Sequence, residues 1–119
     1  MDGQERRIMP RFYFVSRVDV LIAGSSDPVW GAVANISRTG VALYIRQPLK
    51  LRRKGTLRFL FQADDGREIS ETVPATILWQ RGETAGLEFE HPLTAGSPAA
   101  QAVPRMADHL AKKEAAGGK

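Results

Sequence analysis

Apolar and polar residues alternate along most of this chain, which is the pattern of half-buried β-strands. Turn-forming residues such as Gly, Pro, Asp and Ser separate the alternating segments, and no helical periodicity interrupts them before residue 92. The segments lie at 17–22, 29–37, 41–46, 57–62, 68–72, 75–79 and 85–90. Short antiparallel connections favour closure of such a sheet into a small barrel. The pattern therefore predicts an all-β domain, a six- to seven-stranded antiparallel β-barrel over residues 15–92.

Two features refine the predicted strands. Leu57, Phe59 and Phe61 alternate with polar residues, so we assign them to the inward face of the fourth strand. Pro74 cannot donate a backbone hydrogen bond, and it falls between two alternating segments. Its position predicts a sheet edge or a bulge at this point.

The composition changes after residue 92, where Ala, Gly, Ser and Pro become frequent. Ser97 is a suitable helix N-cap with Pro98 at the first helical position, and Pro104 divides the segment or restarts the helix. An apolar stripe with helical spacing follows, formed by Val103, Met106, Ala107 and Leu110. We therefore assign residues 93–119 to a C-terminal α-helix that docks on the barrel, with a frayed tail from Lys112.

Composition narrows the class of protein. The 119 residues suffice for one domain, and 43% hydrophobic with 25% charged residues is typical of a soluble globular fold. Cysteine is absent, which excludes disulfides and thiolate chemistry. No apolar segment has the length of a membrane span, and the N-terminal residues lack the apolar core of a signal peptide. We expect a monomeric cytoplasmic protein.

The net charge of +4 is unevenly distributed. Residues 1–58 contain eleven Lys and Arg against four Asp and Glu, a balance of +7, whereas residues 59–119 contain six against nine, a balance of −3. A basic half can attract a polyanion, a phosphate ligand or an acidic membrane surface. It can equally be a solvated surface that keeps the domain soluble.

One polar stretch interrupts the apolar pattern between the second and third strands, at Asn35-Ile36-Ser37-Arg38-Thr39-Gly40. On a strand, Asn35 and Ser37 would project from the same face. We expect Gly40 to adopt positive φ in a tight turn and to leave space for a ligand. The same residue types also form ordinary hairpin turns. Taken alone, this stretch favours the turn.

A second stretch favours a ligand site over an ordinary hairpin turn. The N-terminal segment contains Arg6, Arg7 and Arg11, and Pro10 favours an extended or looped backbone. An Arg-x-x-x-Arg before the first strand, followed by Asn-x-Ser-x-x-Gly after the second, resembles the PilZ domain family of bacterial cyclic di-GMP receptors. The segment Gly86-Leu87-Glu88-Phe89 is similar to a Gly-x-x-Phe near the end of that domain. The resemblance covers residues 6 to about 92.

The resemblance implies a ligand and a set of contacts. Cyclic di-GMP would lie between Arg7 and Arg11 on one side and Asn35, Ser37 and Gly40 on the other. It implies that residues 1–14 are a flexible leader that becomes ordered on ligand binding and signals to an unidentified protein partner. A third arginine, Arg6, implies two ligands per protomer. Additional contacts are possible from Arg38, Trp79 and Arg81.

These additional residues also have simpler interpretations. Trp79 has the spacing of a core residue on the strand that contains Ala75 and Ile77. Arg38 and Arg81 fall in predicted turns, where an arginine is commonly solvated. For both arginines, the sequence therefore leaves two alternatives open: a contact with the ligand, or exposure to solvent.

Other classes of function are less well supported. The two histidines, His91 in a loop and His109 on the polar side of the helix, form no metal or catalytic motif, so we expect neither an enzyme nor a cofactor or metal. One competitor is a basic barrel that binds single-stranded nucleic acid through Lys50, Arg52, Arg53, Lys54 and Arg58. The core assignment of Phe59 and Phe61 leaves few aromatic side chains beside that loop on which bases could stack, and we do not expect nucleic acid as the partner. Another competitor is a PilZ-like module that binds proteins and no nucleotide.

Overall fold

Six antiparallel strands close into a barrel in the computed structural model, which describes residues 11–25 and 27–117. The barrel order is β1-β2-β3-β6-β5-β4. The strands are β1 (Arg17–Ile22), β2 (Val29–Ile36), β3 (Gly40–Tyr44), β4 (Lys54–Gln62), β5 (Glu68–Arg81) and β6 (Thr84–Phe89), and two helices follow, α1 (Pro98–Ala102) and α2 (Pro104–Gly117). The predicted barrel with a C-terminal helix is confirmed. Within the described residues, neither helix combines the length and the apolar composition needed to cross a membrane.

The barrel has six strands because β5 is continuous. The two segments on either side of Pro74 form one strand of 14 residues, in which Pro74 pairs with Thr56 of β4. The Pro74 carbonyl accepts the Glu90 N–H (2.9 Å), and Glu90 follows the last residue of β6. The N–H that proline lacks would point to the same side, where the paired residues of β6 have ended. Pro74 thus lies one residue beyond the last β5–β6 pair, in a strand of a closed barrel and not at a sheet edge. The bulge lies further along, between Ile77 and Trp79.

The barrel core is continuous with the helices. Leu57 and Phe59 are fully buried, and Phe61 is partly buried with its ring edge against Phe14 (centroid separation 5.0 Å). The helix stripe joins the same core through Val103, Met106 and Leu110. Docking of the C-terminal helix on the barrel is therefore confirmed.

The helix ends differ in how well the sequence predicts them. Ser97 Oγ accepts the Ala100 N–H (3.1 Å) and Pro98 begins α1, as predicted, and α2 restarts at Pro104. The fraying predicted from Lys112 is wrong, because α2 continues to Gly117.

His109 also departs from the prediction. Its ring lies 4.7 Å from that of Phe14, and its Nε2 donates to the Tyr13 carbonyl (3.1 Å). His109 therefore faces the barrel instead of lying on the polar side of the helix. The contact connects α2 to the segment that precedes β1.

A buried carboxylate supports the start of α2. Glu71 on β5 is 7% exposed, and its two oxygens accept the backbone N–H groups of Arg105 (2.8 Å) and Met106 (3.0 Å). The first N–H groups of a helix have no partner within the helix, and a negative charge there also complements the helix dipole. Glu71, on a neighbouring strand, thus accepts the hydrogen bonds of two N–H groups at the N-terminus of α2.

We expect Glu71→Ala to lower the free energy of unfolding by about 1–3 kcal/mol, because two helix N–H groups lose a charged acceptor. Urea denaturation followed by circular dichroism measures this change. The matched control is Glu68→Ala on the same strand, an exposed residue, for which a change within about 0.5 kcal/mol is expected. Equal stability of the two variants would contradict the capping role.

Candidate functional site

The segment before β1 is anchored to the end of β2. Phe12 and Ile36 exchange two backbone hydrogen bonds (2.7 and 2.8 Å), and Phe14 is buried in the core. Residues 11–14, which we predicted as part of a flexible leader, are therefore held on the barrel. Arg6 and Arg7 lie outside the described residues.

This anchoring places Arg11 beside the polar stretch. The Nη1 of Arg11 donates to Oδ1 of Asn35 (3.0 Å), so one arginine of the Arg-x-x-x-Arg and the asparagine are in direct contact. The pairing of Phe12 with Ile36 fixes the backbone next to both residues. Two separate sequence motifs thus meet at one edge of the barrel.

Ser37 forms the turn between β2 and β3. Its Oγ accepts the Thr39 N–H (3.2 Å) and lies 3.2 Å from Thr39 Oγ1, and the residue is buried. Because β2 ends at Ile36, Ser37 lies in the turn and does not share a strand face with Asn35. That prediction is wrong, although Ser37 lies close to Arg11 in the groove described below.

Gly40 is required for a different reason from the one predicted. It is the first residue of β3 and does not have positive φ. A Cβ at this position would lie 2.5 Å from the carbonyl oxygen of Leu87 on β6. The absent side chain allows the close approach of β3 and β6.

A groove crosses the outer wall of the barrel at these residues. The register aligns Asn35 with Ala42, Gly86 and Trp79 across four strands. Two glycines, Gly40 and Gly86, and the apolar residues Val41, Leu78 and Leu87 line the depression, which has a volume of about 100 Å³. Its lining includes Arg11, Ser37, Gly40, Trp79, Gly86 and Glu88.

Trp79 forms the wall of the groove opposite Arg11. The bulge after Ile77 takes this tryptophan out of the core, and 38% of it is exposed. Its indole covers Gly86, where a Cβ would lie 2.2 Å from Trp79 Nε1. The Arg81 guanidinium lies 5.9 Å from the indole centroid, within cation–π range. The interpretation of Trp79 as a core residue is therefore wrong.

Arg38 is neither solvated nor directed into the groove. Its guanidinium donates to both carboxylate oxygens of Glu114 (2.8 and 2.7 Å) and to the Leu93 carbonyl. The hydrogen bonds from Arg38 lower the pKa of Glu114, and those to Glu114 raise the pKa of Arg38. Arg38 thus connects the β2–β3 turn to α2.

Other candidate surfaces lack this combination of residues. Arg58, assigned to a basic surface, pairs instead with the buried carboxylate of Asp19 (2.9 Å). A cavity of about 580 Å³ between β5 and α1 has a largely apolar lining that includes Pro74 and Pro92. Among the described residues, no group of three or more metal-binding side chains occurs.

Comparison with known families identifies the fold. The model of the PilZ domain matches residues 5–102, most of the chain. The chain belongs to the PilZ domain family. PilZ domains are regulatory ligand-binding modules, so membership favours the non-catalytic interpretation of the sequence.

Two solved structures are similar to this chain. The crystal structure of the PilZ domain of CeSA, from a cellulose-synthesizing bacterium, aligns with a TM-score of 0.61 and 22% identity, covering 85% of this chain and 97% of that one. The Bacillus subtilis inhibitor of motility (MotI/DgrA) aligns with a TM-score of 0.59 and 17% identity, covering 94% of this chain and 52% of that one. This PilZ chain thus spans about half of the motility inhibitor. No curated protein matches its sequence significantly.

The Arg38–Glu114 pair predicts a pH-dependent contribution to stability. Because the pKa of Glu114 is lowered in the folded state, the pair stabilises the fold above the unfolded-state pKa of about 4.3 and loses this effect as pH falls through the folded-state value. We expect Glu114→Gln to cost about 1 kcal/mol at neutral pH and almost nothing in strong acid. Urea midpoints measured across this pH range test it.

The exposed pair of Asp108 and Lys112 provides the control for this experiment. Asp108→Asn is expected to change stability by less than about 0.5 kcal/mol at neutral pH. A Glu114→Gln cost that stayed constant down to strong acid would show that the ion pair is not its origin.

Gly86 predicts a spectroscopic effect on Trp79. The chain has two tryptophans, so Trp30→Phe leaves Trp79 as the sole indole emitter. In that background, we expect Gly86→Ala to displace the indole into solvent, shift its emission to longer wavelength and destabilise the fold by about 1–3 kcal/mol. Thr84→Ala on the same strand is the control. An unchanged spectrum in the Gly86 variant would contradict the packing of Trp79 on Gly86.

Proposed function

We propose that this PilZ domain is a cyclic di-GMP receptor that binds the dinucleotide across the groove between Arg11 and Trp79. The hydrogen bond between Arg11 and Asn35 (3.0 Å) carries the proposal. It joins two motifs that are 24 residues apart at a groove on the outer wall, in a chain of the PilZ family.

The chemistry of Arg11 suits this ligand. A guanidinium can donate paired hydrogen bonds to phosphate oxygens, or to O6 and N7 of guanine. The neighbouring backbone pairing of Phe12 with Ile36 already fixes the position of the chain, which reduces the entropy lost on binding. With Oδ1 of Asn35 accepting from Arg11, the two amide N–H donors of Asn35 remain to contact the ligand.

The opposite wall offers a planar surface. A base stacked on an exposed aromatic ring contributes about 1–3 kcal/mol, and the exposed face of Trp79 is such a ring. Gly40 and Gly86 add no side chains to the groove, so a base can approach the backbone closely. At about 100 Å³ the groove is too small to enclose a dinucleotide, so in the proposed complex the ligand lies across it. The resemblance to the family adds Arg6 and Arg7 as further contacts of this ligand.

Signalling follows from the two connections to α2. Ligand binding orders the leader up to Arg11, and the segment that follows contacts His109 of α2 through Tyr13. The turn after Asn35 contacts the same helix through Arg38 and Glu114. In this proposal the changed surface is presented to a protein partner in the cytoplasm.

A second candidate is a PilZ module that binds a protein and no nucleotide. Trp30 and Tyr44 are 61% and 58% exposed and line a cleft of about 630 Å³ on the β2–β3 wall. Tryptophan and tyrosine are the residues most enriched at the energetic centres of protein interfaces. This surface is compatible with either candidate, so ligand binding distinguishes them.

Isothermal titration calorimetry with cyclic di-GMP tests the receptor. We expect Arg11→Ala and Asn35→Ala each to weaken binding by about 10- to 100-fold. Arg11→Ala removes a charge-assisted hydrogen bond to the ligand, and Asn35→Ala removes the hydrogen bonds of the amide. Arg17→Ala is the matched arginine control, because Arg17 contacts Trp30 and Asp19, both outside the groove, and an unchanged urea midpoint verifies that this variant is folded. No binding by the wild-type domain, or equal affinities of the Arg11 and Arg17 variants, would contradict the proposal.

The same titration measures stoichiometry. We expect two ligands per protomer in the wild type and one in Arg6→Ala. A single-stranded oligonucleotide titrated in parallel tests the nucleic-acid alternative. One ligand per wild-type chain would remove the role proposed for Arg6 and leave the receptor itself intact.

A further inference from the structure

The loop before β4 is a second charged feature, separate from the groove. Lys50, Arg52, Arg53 and Lys54 are all exposed, and no acidic residue interrupts them. Leu51 lies among these cations and is 51% exposed. Removing such an aliphatic side chain from water is favourable, and an apolar group bordered by charged residues is typical of a surface that contacts a partner.

The conformation of the loop is fixed by β5. Arg52 N–H donates to the Ile77 carbonyl (2.7 Å), and Ile77 N–H donates to the Arg53 carbonyl (3.0 Å). Leu49 N–H donates to Oε1 of Gln80 (2.7 Å). Arg52 also has φ of +70°, a backbone conformation that non-glycine residues rarely adopt. These hydrogen bonds to β5 fix the backbone of the loop, and in this conformation Leu51 is exposed.

The charge of the loop selects a phosphate-bearing partner. Lys50, Arg52 and Lys54 have no ion pair among the described residues, while Arg53 donates to the Ala23 carbonyl (3.1 Å). Clustered Lys and Arg attract anionic surfaces over distances of about a Debye length, some 8–10 Å at physiological salt. Both anionic lipids and nucleic acids meet this condition.

Leu51 distinguishes the two. A leucine gains free energy when it enters the boundary between headgroups and acyl chains, whereas single-stranded nucleic acid is held by stacking on aromatic rings. No aromatic residue occurs between positions 46 and 58. Arg58, the remaining cation of the nucleic-acid alternative, is committed to Asp19 on the barrel wall. The side chains at this loop therefore favour a lipid surface.

We propose that the Lys50–Lys54 loop docks the domain on an anionic membrane surface. The cations bind lipid phosphates, and Leu51 inserts into the acyl boundary. Attachment is peripheral and reversible, because a single leucine and a few cations provide the affinity. The groove at Arg11 and Trp79 uses different residues, so membrane docking does not depend on the proposed nucleotide binding.

Co-sedimentation with vesicles tests the proposal. The probes are vesicles of phosphatidylcholine mixed with phosphatidylglycerol, and vesicles of phosphatidylcholine alone. We expect binding to the anionic vesicles that decreases with added salt, and weak or no binding to the neutral ones. Lys50→Glu should weaken binding by at least about fivefold and Leu51→Ser by about tenfold.

Matched variants separate the loop from general surface effects. Lys113→Glu makes the same charge change on α2, and Val15→Ser removes an exposed apolar side chain elsewhere, so both should bind the anionic vesicles more tightly than the corresponding loop variants. Unchanged urea midpoints verify that the loop variants are folded. No binding to anionic vesicles, equal losses in the control and loop variants, or binding that is insensitive to Leu51→Ser would each overturn the proposal. Oligonucleotide binding without vesicle binding would also overturn it, in favour of nucleic acid.

Discussion

Two glycines on the outer wall of the barrel determine how closely β3 approaches β6 and where the Trp79 indole packs. A side chain at Gly40 would meet the backbone of Leu87, and one at Gly86 would meet the indole of Trp79. Both glycines line the groove that also includes Arg11 and Trp79. The groove is thus a consequence of close strand packing, and its polar and aromatic walls come from segments distant in sequence.

The C-terminal helix depends on contacts with the barrel at three places. Its stripe completes the core, Glu71 caps its first turn, and Arg38 holds Glu114 near its end. His109 adds a contact to the segment that follows Arg11. The helix therefore touches both chain segments that border the groove. A ligand that shifts either segment would alter how the helix is held, which is why we place the output of the proposed receptor there.

Local patterns predicted the strands and the helix stripe, because alternation and helical spacing report burial directly. They also predicted the N-cap at Ser97. The motif order predicted the family through resemblance. The bulge after Ile77 was not predictable, and one inserted residue was enough to transfer Trp79 from the core to the outer wall. Glu71 and the Arg38–Glu114 pair join residues 34, 35 and 76 positions apart, so no local pattern reveals them. The positive φ expected at Gly40 failed because packing, not turn geometry, selects that glycine.

Backbone amide and indole N–H chemical shifts, recorded during titration with cyclic di-GMP, reveal whether the ligand binds in the groove. We expect large shifts for Arg11, for residues 35–40 and for the Trp79 indole, smaller shifts along α2, and none in the Lys50–Lys54 loop. The Trp30 indole, on a different wall of the barrel, is the internal reference. Shifts confined to the loop or to Trp30, with the Trp79 indole unmoved, would contradict a binding site in the groove.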